Sequence, residues 1–160
     1  MKKSSKFLLI IFMMLAFFTP QYLYAEEPYL APDFRLPDLS QGIVTLSSYR
    51  NKQPVILFFW TTWCPFCRKE LKVLKDMRAE LLKDKVEILT INVGEYAYKI
   101  DNFIKSYQLT YKVLLDKDTA VAESYGILGV PTYILIDKQG NIRFKVNSFP
   151  KEEYKDLISE

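Results

Sequence analysis

Residues 55–70 read Val-Ile-Leu-Phe-Phe-Trp-Thr-Thr-Trp-Cys-Pro-Phe-Cys-Arg-Lys-Glu, an apolar run that passes through two cysteines into a charged segment. Val55–Trp60 is continuously apolar and follows Lys52-Gln53-Pro54, the pattern of a strand buried on both faces of a sheet. From Pro65 the period changes. Cys67, Leu71, Leu74, Met77 or Arg78, and Leu81 recur at three and four with Lys and Glu between them, which predicts an amphipathic helix. Val86–Val93 alternates and is β-branched, so it reads as a second strand. Strand, helix and strand in close succession make a βαβ unit, whose crossover is expected to be right-handed.

Outward from this unit the alternation continues. On the amino-terminal side, Phe34–Leu36 and Ile43–Leu46 flank Ser40-Gln41-Gly42, a hairpin. On the other side, Tyr98–Tyr107 reads as a helix, Lys112–Leu115 as a strand, and Thr119–Tyr125 as a helix ending at Gly126. Thr132–Ile136 and Ile142–Val146 are joined by Asp137-Lys138-Gln139-Gly140-Asn141, a second hairpin, and Lys151–Ile158 is a closing helix. The expected architecture is α/β, one domain over 33–160, with a mixed sheet and helices on both faces. Residues 26–32, with two acids and two prolines, read as a linker.

The first 25 residues are of a different kind. Lys2, Lys3 and Lys6 precede Phe7–Phe18, an unbroken apolar run of twelve, which Thr19-Pro20 then breaks. This is the layout of an export signal, and it is short for a spanning helix, which needs about 20 apolar residues. Cleavage after Ala25 is the leading reading. Leu23, large where a small residue is preferred, keeps an uncleaved membrane anchor open. Either outcome carries the domain outside the cytoplasm, where disulfides persist.

The 160 residues carry a formal net charge of +3, from 22 basic and 19 acidic side chains. The excess lies in Lys2, Lys3 and Lys6, leaving 19 basic against 19 acidic residues in the remainder. A surface for nucleic acid is therefore not indicated. Histidine is absent, which excludes Ser-His and Cys-His catalysis and imidazole metal ligation. Two cysteines cannot build a four-thiolate zinc site within one chain, so neither a metal nor another cofactor is expected.

Cys64 falls where the buried strand gives way to the helix. Unpaired amides and the positive end of the helix dipole favour a thiolate there. Pro65 suits the first helical turn, because its missing N–H would have had no partner. With two residues between them, Cys64 and Cys67 can close a small disulfide ring, which is a poor cross-link for a fold. Metal binding and an inert buried pair are weaker readings than redox exchange. In that exchange Cys64 is expected to be the exposed nucleophile and Cys67 the resolving thiol. A further feature, Gly129-Val130-Pro131-Thr132, stands directly before an apolar strand. Taken alone, Pro131 is more simply a strand-entry proline than a cis one.

Together these residues resemble the thioredoxin superfamily, specifically its exported TlpA/ResA-like branch. The likeness covers most of 31–158. Its markers are Ala31-Pro32-Asp33-Phe34, Phe59-Trp60 with Trp63-Cys64-Pro65-Phe66-Cys67, Asn92-Val93-Gly94-Glu95, and Val130-Pro131-Thr132. The resemblance implies a thioredoxin fold: a central mixed β-sheet flanked by helices, an N-terminal β-hairpin, and an inserted α/β element over 92–115. It also implies that Pro131 is cis and packs beside the sulfurs. Val130 then pairs with an incoming peptide strand, and Trp63, Pro65, Phe66 and Thr132 complete the substrate surface.

Glu70, three residues after Cys67, matches a glutamate that this branch uses to influence the cysteine pair. Thioredoxins proper carry a buried acid six residues before the first cysteine, where this chain has Phe58. Glu70 is therefore expected to accept or relay the Cys67 proton, and Glu95 to be a modulator of the pair. Pro65-Phe66 supplies no hydrogen-bonding side chain, and a reducing couple is expected. The implied activity is protein-disulfide oxidoreduction by an extracytoplasmic, periplasmic or membrane-anchored monomer. Its substrates would be protein thiols such as those of apocytochrome c in cytochrome c biogenesis, with electrons drawn from a membrane dithiol donor. Two rivals stand beside it. A peroxiredoxin-like thiol peroxidase shares Ala-Pro-Asp-Phe and Thr61 before Cys64, but has Leu57 where its proline belongs. A non-catalytic binding module or chaperone would use the Val130–Pro131 groove without turnover.

Overall fold

The computed structural model describes residues 29–159, so the expected export signal lies outside the described residues. Among the described residues there are two sheets. Arg35–Pro37 (β1) and Ile43–Thr45 (β2) form the antiparallel hairpin, with Leu36 opposite Val44. Asp38 closes its turn, its carboxylate accepting from the amides of Ser40 and Gly42 at 2.8 Å each. The second sheet has five strands in the order Lys112–Asp116 (β5), Glu87–Val93 (β4), Val55–Trp60 (β3), Thr132–Ile136 (β6) and Ile142–Val146 (β7). β3, β4 and β5 run parallel, and β6 and β7 are antiparallel additions.

β3 is the centre, and all six of its residues are buried. Its pleat divides them. Val55, Leu57 and Phe59 face a core shared with Phe34, Leu36 and Val44 of the hairpin region and with Val121, Ala122 and Tyr125. Ile56, Phe58 and Trp60 face a second core with Cys67, Leu71, Leu74 and Leu81 of helix Pro65–Lys83 (α1). Ile100 of helix Ala97–Tyr107 (α2) and Tyr154 and Leu157 of helix Glu153–Ser159 (α4) complete that side. Full burial of each such side chain contributes roughly 1.5–3 kcal/mol, so a polar residue in β3 would be costly. On α1 the choice between Met77 and Arg78 resolves in favour of Met77, which packs on the core while Arg78 is exposed.

The remaining elements match expectation apart from their ends. The helix after β5 is Ala120–Ser124 (α3), because Thr119 takes left-handed backbone (φ 65°) as its N-cap. It closes at Gly126, whose φ of 57° is the left-handed conformation that glycine adopts without a Cβ clash. α4 starts at Glu153, since Lys151 is engaged in a turn with the Phe149 carbonyl. The end of the expected linker is docked: the Ala31 amide donates to Gly140 at 2.9 Å and Ala31 is buried. Among the described residues no helix is long and apolar enough to cross a membrane.

Candidate active site

Register brings three segments together at one edge of the sheet. β4 is parallel to β3 with Asn92 beside Trp60, so their carboxyl ends align and Asn92–Glu95 lies next to Thr61–Cys64. β6 is antiparallel to β3 with Thr132 opposite Phe59, so the start of β6 lies at the same edge. Val130-Pro131, remote in sequence, thereby meets the cysteine loop. The Val130–Pro131 peptide bond is cis.

Cys64 is the N-cap of α1 and is disulfide-bonded to Cys67, with their Cα atoms 5.2 Å apart. The Cys67 amide donates to Cys64 Sγ at 3.0 Å, one of the orphan donors of the first turn. Cys64 Sγ also lies 3.6 Å from the Val130 carbonyl oxygen. The expectation of an exposed Cys64 requires correction. It is 3% exposed against 0% for Cys67, because the cis-proline loop packs against its sulfur. What is exposed is the rim, with Trp63 and Phe66 at 67% and 65%. Thr132 is buried and its hydroxyl donates to the Gly129 carbonyl at 2.7 Å, which ties down the loop on the other side.

Phe58, at the place of the missing buried acid, pairs in register with Tyr133 and stacks on it with ring centroids 4.5 Å apart. The Tyr133 hydroxyl donates to Glu70 Oε2 at 3.0 Å, and the Phe149 amide donates to the same oxygen at 2.8 Å. Burial, reinforced by the neighbouring Glu70 charge, pushes the Tyr133 phenol far above its usual range, so it is a fixed donor. Glu70 is therefore tethered towards β6 and the segment before α4, with both recorded bonds on one oxygen.

Glu95 has a definite partner set. It accepts from the Thr62 amide at 2.7 Å, the Thr62 hydroxyl at 2.6 Å and Asn92 Nδ2 at 2.9 Å. The third polar group of Thr62, its carbonyl, accepts from Arg68 Nε and a terminal guanidinium nitrogen at 3.1 and 3.0 Å. Arg68 in turn lies 5.9 Å from the Phe103 ring centroid on α2. All of Thr62's hydrogen-bonding groups are thus held, two residues before Cys64. Sequence reasoning missed Thr62, Arg68, Asn92 and Tyr133. Only Asn92 carried a signal, since it opens the Asn92-Val93-Gly94-Glu95 stretch that marks the resemblance.

Chemically this is a pair of thiols that can open and close, with an amide aimed at the outer sulfur and a peptide edge against it. Such a corner, on this sheet order, defines a thioredoxin-fold disulfide oxidoreductase. Residues 29–145 match the AhpC/TSA family. The thiol-disulfide oxidoreductase ResA of Geobacillus thermodenitrificans is 36% identical over 129 residues, covering 80% of this chain and 74% of that protein. The ResA of Bacillus subtilis is 37% identical over 112 residues, covering 70% and 62%. Among solved structures, StoA of Bacillus subtilis superposes with a TM-score of 0.68 at 26% identity, covering 83% of this chain and 100% of that one. The chain belongs to the AhpC/TSA family of the thioredoxin superfamily, in the group of thiol-disulfide oxidoreductases similar to ResA.

Proposed function

We propose that this oxidoreductase works outside the cytoplasm in the reducing direction. The observation that carries the exchange chemistry is the setting of Cys64 Sγ, 3.0 Å from a helix amide and 3.6 Å from the Val130 carbonyl. The amide and the helix dipole stabilise a thiolate at Cys64, and the peptide edge at Val130 is where a partner strand adds. The Cys64 thiolate attacks one sulfur of a partner disulfide, forming a mixed disulfide and releasing the other sulfur as a thiolate. Cys67 then loses its proton and attacks Cys64 Sγ, which re-forms the Cys64–Cys67 disulfide and releases the second partner thiol. Two electrons pass to the partner, and Glu70 is the carboxylate suited to take the Cys67 proton. A membrane dithiol donor would restore the reduced pair.

The resemblance to the ResA-like branch supports the haem-binding thiols of an apocytochrome c as the substrate class. The extracytoplasmic setting rests on the Lys2, Lys3 and Lys6 cluster ahead of the apolar Phe7–Phe18 run. Replacing Cys67 by Ala tests the mechanism. Covalent mixed disulfides through Cys64, seen on non-reducing gels, are the expected result. Non-covalent complexes alone would favour a binding module. Equilibration with glutathione gives the direction: a potential near roughly −270 mV or lower fits a reductant, and one near roughly −120 mV would reverse the reading.

A further inference from the structure

The first half of α1 has an unusual charge pattern for a helix N-terminus. Arg68, Lys69, Lys72 and Lys75 are all exposed, no acid stands in the first turn, and Asp76 is the one exposed acid before Arg78. Cations at that end oppose the helix dipole, so helix stability does not account for them. Lys72 and Lys75 form no ion pair among the described residues. Together with Arg68 they rim a groove of about 320 Å³ between α1 and the end of α2, with Leu71, Tyr107 and Leu109 as its apolar lining and Asp76 at its edge.

Arg68 links the groove to the reactive loop, its guanidinium donating to the Thr62 carbonyl at 3.1 and 3.0 Å, two residues before Cys64. On the opposite flank, beyond Trp63, a second groove of about 580 Å³ is lined by Glu123 and by no Lys or Arg. The two sides of the disulfide thus differ in sign, and the difference orients whatever binds across it.

We infer that the α1 groove docks an acidic segment of the disulfide partner protein, anchored by one apolar side chain over Tyr107 and Leu109. The inference rests on the thiol-exchange reading above and adds the chemistry of the partner. Lys72 lies eight residues beyond Cys64, the sulfur that bonds the partner, about 12 Å along a helix. An extended partner strand covers that in about four residues. The partner's carboxylates therefore lie three to five residues from its reacting cysteine, on the side that runs along α1.

The test uses the reduced full chain and three synthetic peptides. Each carries one cysteine as its neutral methyl disulfide and a leucine four residues away, flanked by Glu, by Lys or by Ser. Oxidation is followed by tryptophan fluorescence, and each rate is divided by that of the Ser peptide. The Glu peptide is expected to react about tenfold faster than the Lys peptide at low ionic strength, with the gap closing as salt rises. The double variant Lys72→Glu, Lys75→Glu is expected to invert the order. Equal rates for the three peptides, or a preference that survives the double variant, would overturn the docking surface and leave thiol exchange standing. No reaction with any of the three, the Ser peptide included, would overturn the exchange reading and the surface with it. Lysine-dependent binding to phosphatidylglycerol vesicles with equal peptide rates would assign the groove to an anionic membrane and overturn the proposal.

Discussion

The Tyr133 hydroxyl donates to Glu70 at 3.0 Å, so a carboxylate on α1 is held by a tyrosine whose ring stacks on Phe58 of the central strand. The space of the absent buried acid is filled by an aromatic pair. The nearby carboxylate, Glu70, stands on the helix instead, where a second donor, the Phe149 amide, shares its Oε2.

This arrangement separates two variants. Tyr133→Phe keeps the stack and removes one hydrogen bond to a charged acceptor, and a loss of about 1.5–3 kcal/mol in urea denaturation is expected. Glu70→Gln keeps an acceptor for both donors but removes the carboxylate. It is expected to shift the pH profile of Cys67 alkylation with a smaller change in stability. An unchanged profile would remove Glu70 from proton transfer and leave it as a tether.

Glu95 holds Thr62, two residues before Cys64, and is expected to act on Cys64 through it, as a positioning residue. Glu95→Ala leaves the Thr62 amide and Asn92 Nδ2 without their acceptor, which costs about 1–3 kcal/mol. Cys64 should then react more slowly with an aromatic disulfide, and its thiolate pH profile should change because the loop entering α1 is loosened. Glu95→Gln, which retains one acceptor oxygen, should restore part of both. A stability loss with an unaltered thiolate profile would reduce Glu95 to a purely structural role.

Asp116 ends β5 and caps α3, accepting from Val121 and Ala122 amides at 3.1 and 2.8 Å. Burial nevertheless raises its carboxyl above the usual value of 3.8, outweighing those two bonds. A raised folded value means that the folded state holds the proton more tightly. The associated stability is present below the unfolded value and is lost as pH rises through the folded one. Asp116→Asn should therefore flatten the fall in stability as pH rises from the usual carboxyl value of 3.8, measured by denaturation of both proteins across the acidic range. Identical slopes would show that Asp116 does not titrate there.

The strands and helices were legible from residue pattern because burial imposes a period. Val55–Trp60 had no polar face to offer solvent, and Cys67, Leu71, Leu74 and Leu81 had one apolar stripe to cover. The boundaries of α3 and α4 were less so, since they turn on left-handed backbone at Thr119 and a turn at Lys151. The cysteine pair was legible as chemistry because its spacing and its place before a helix are local facts. Pro131 needed the family resemblance, because its own neighbours favour a plain strand entry.

What the amino-acid sequence determined alone is therefore the local part: the α/β alternation, the two thiols at a strand-to-helix corner, and the absence of histidine. Tertiary structure decided which distant groups surround them. Parallel pairing of β3 with β4 put Glu95 onto Thr62, and antiparallel pairing with β6 put Val130 against Cys64 and Tyr133 against Phe58. Strand order and register are global properties of the sheet, chosen by how both faces of β3 bury at once, and no short window of residues contains them.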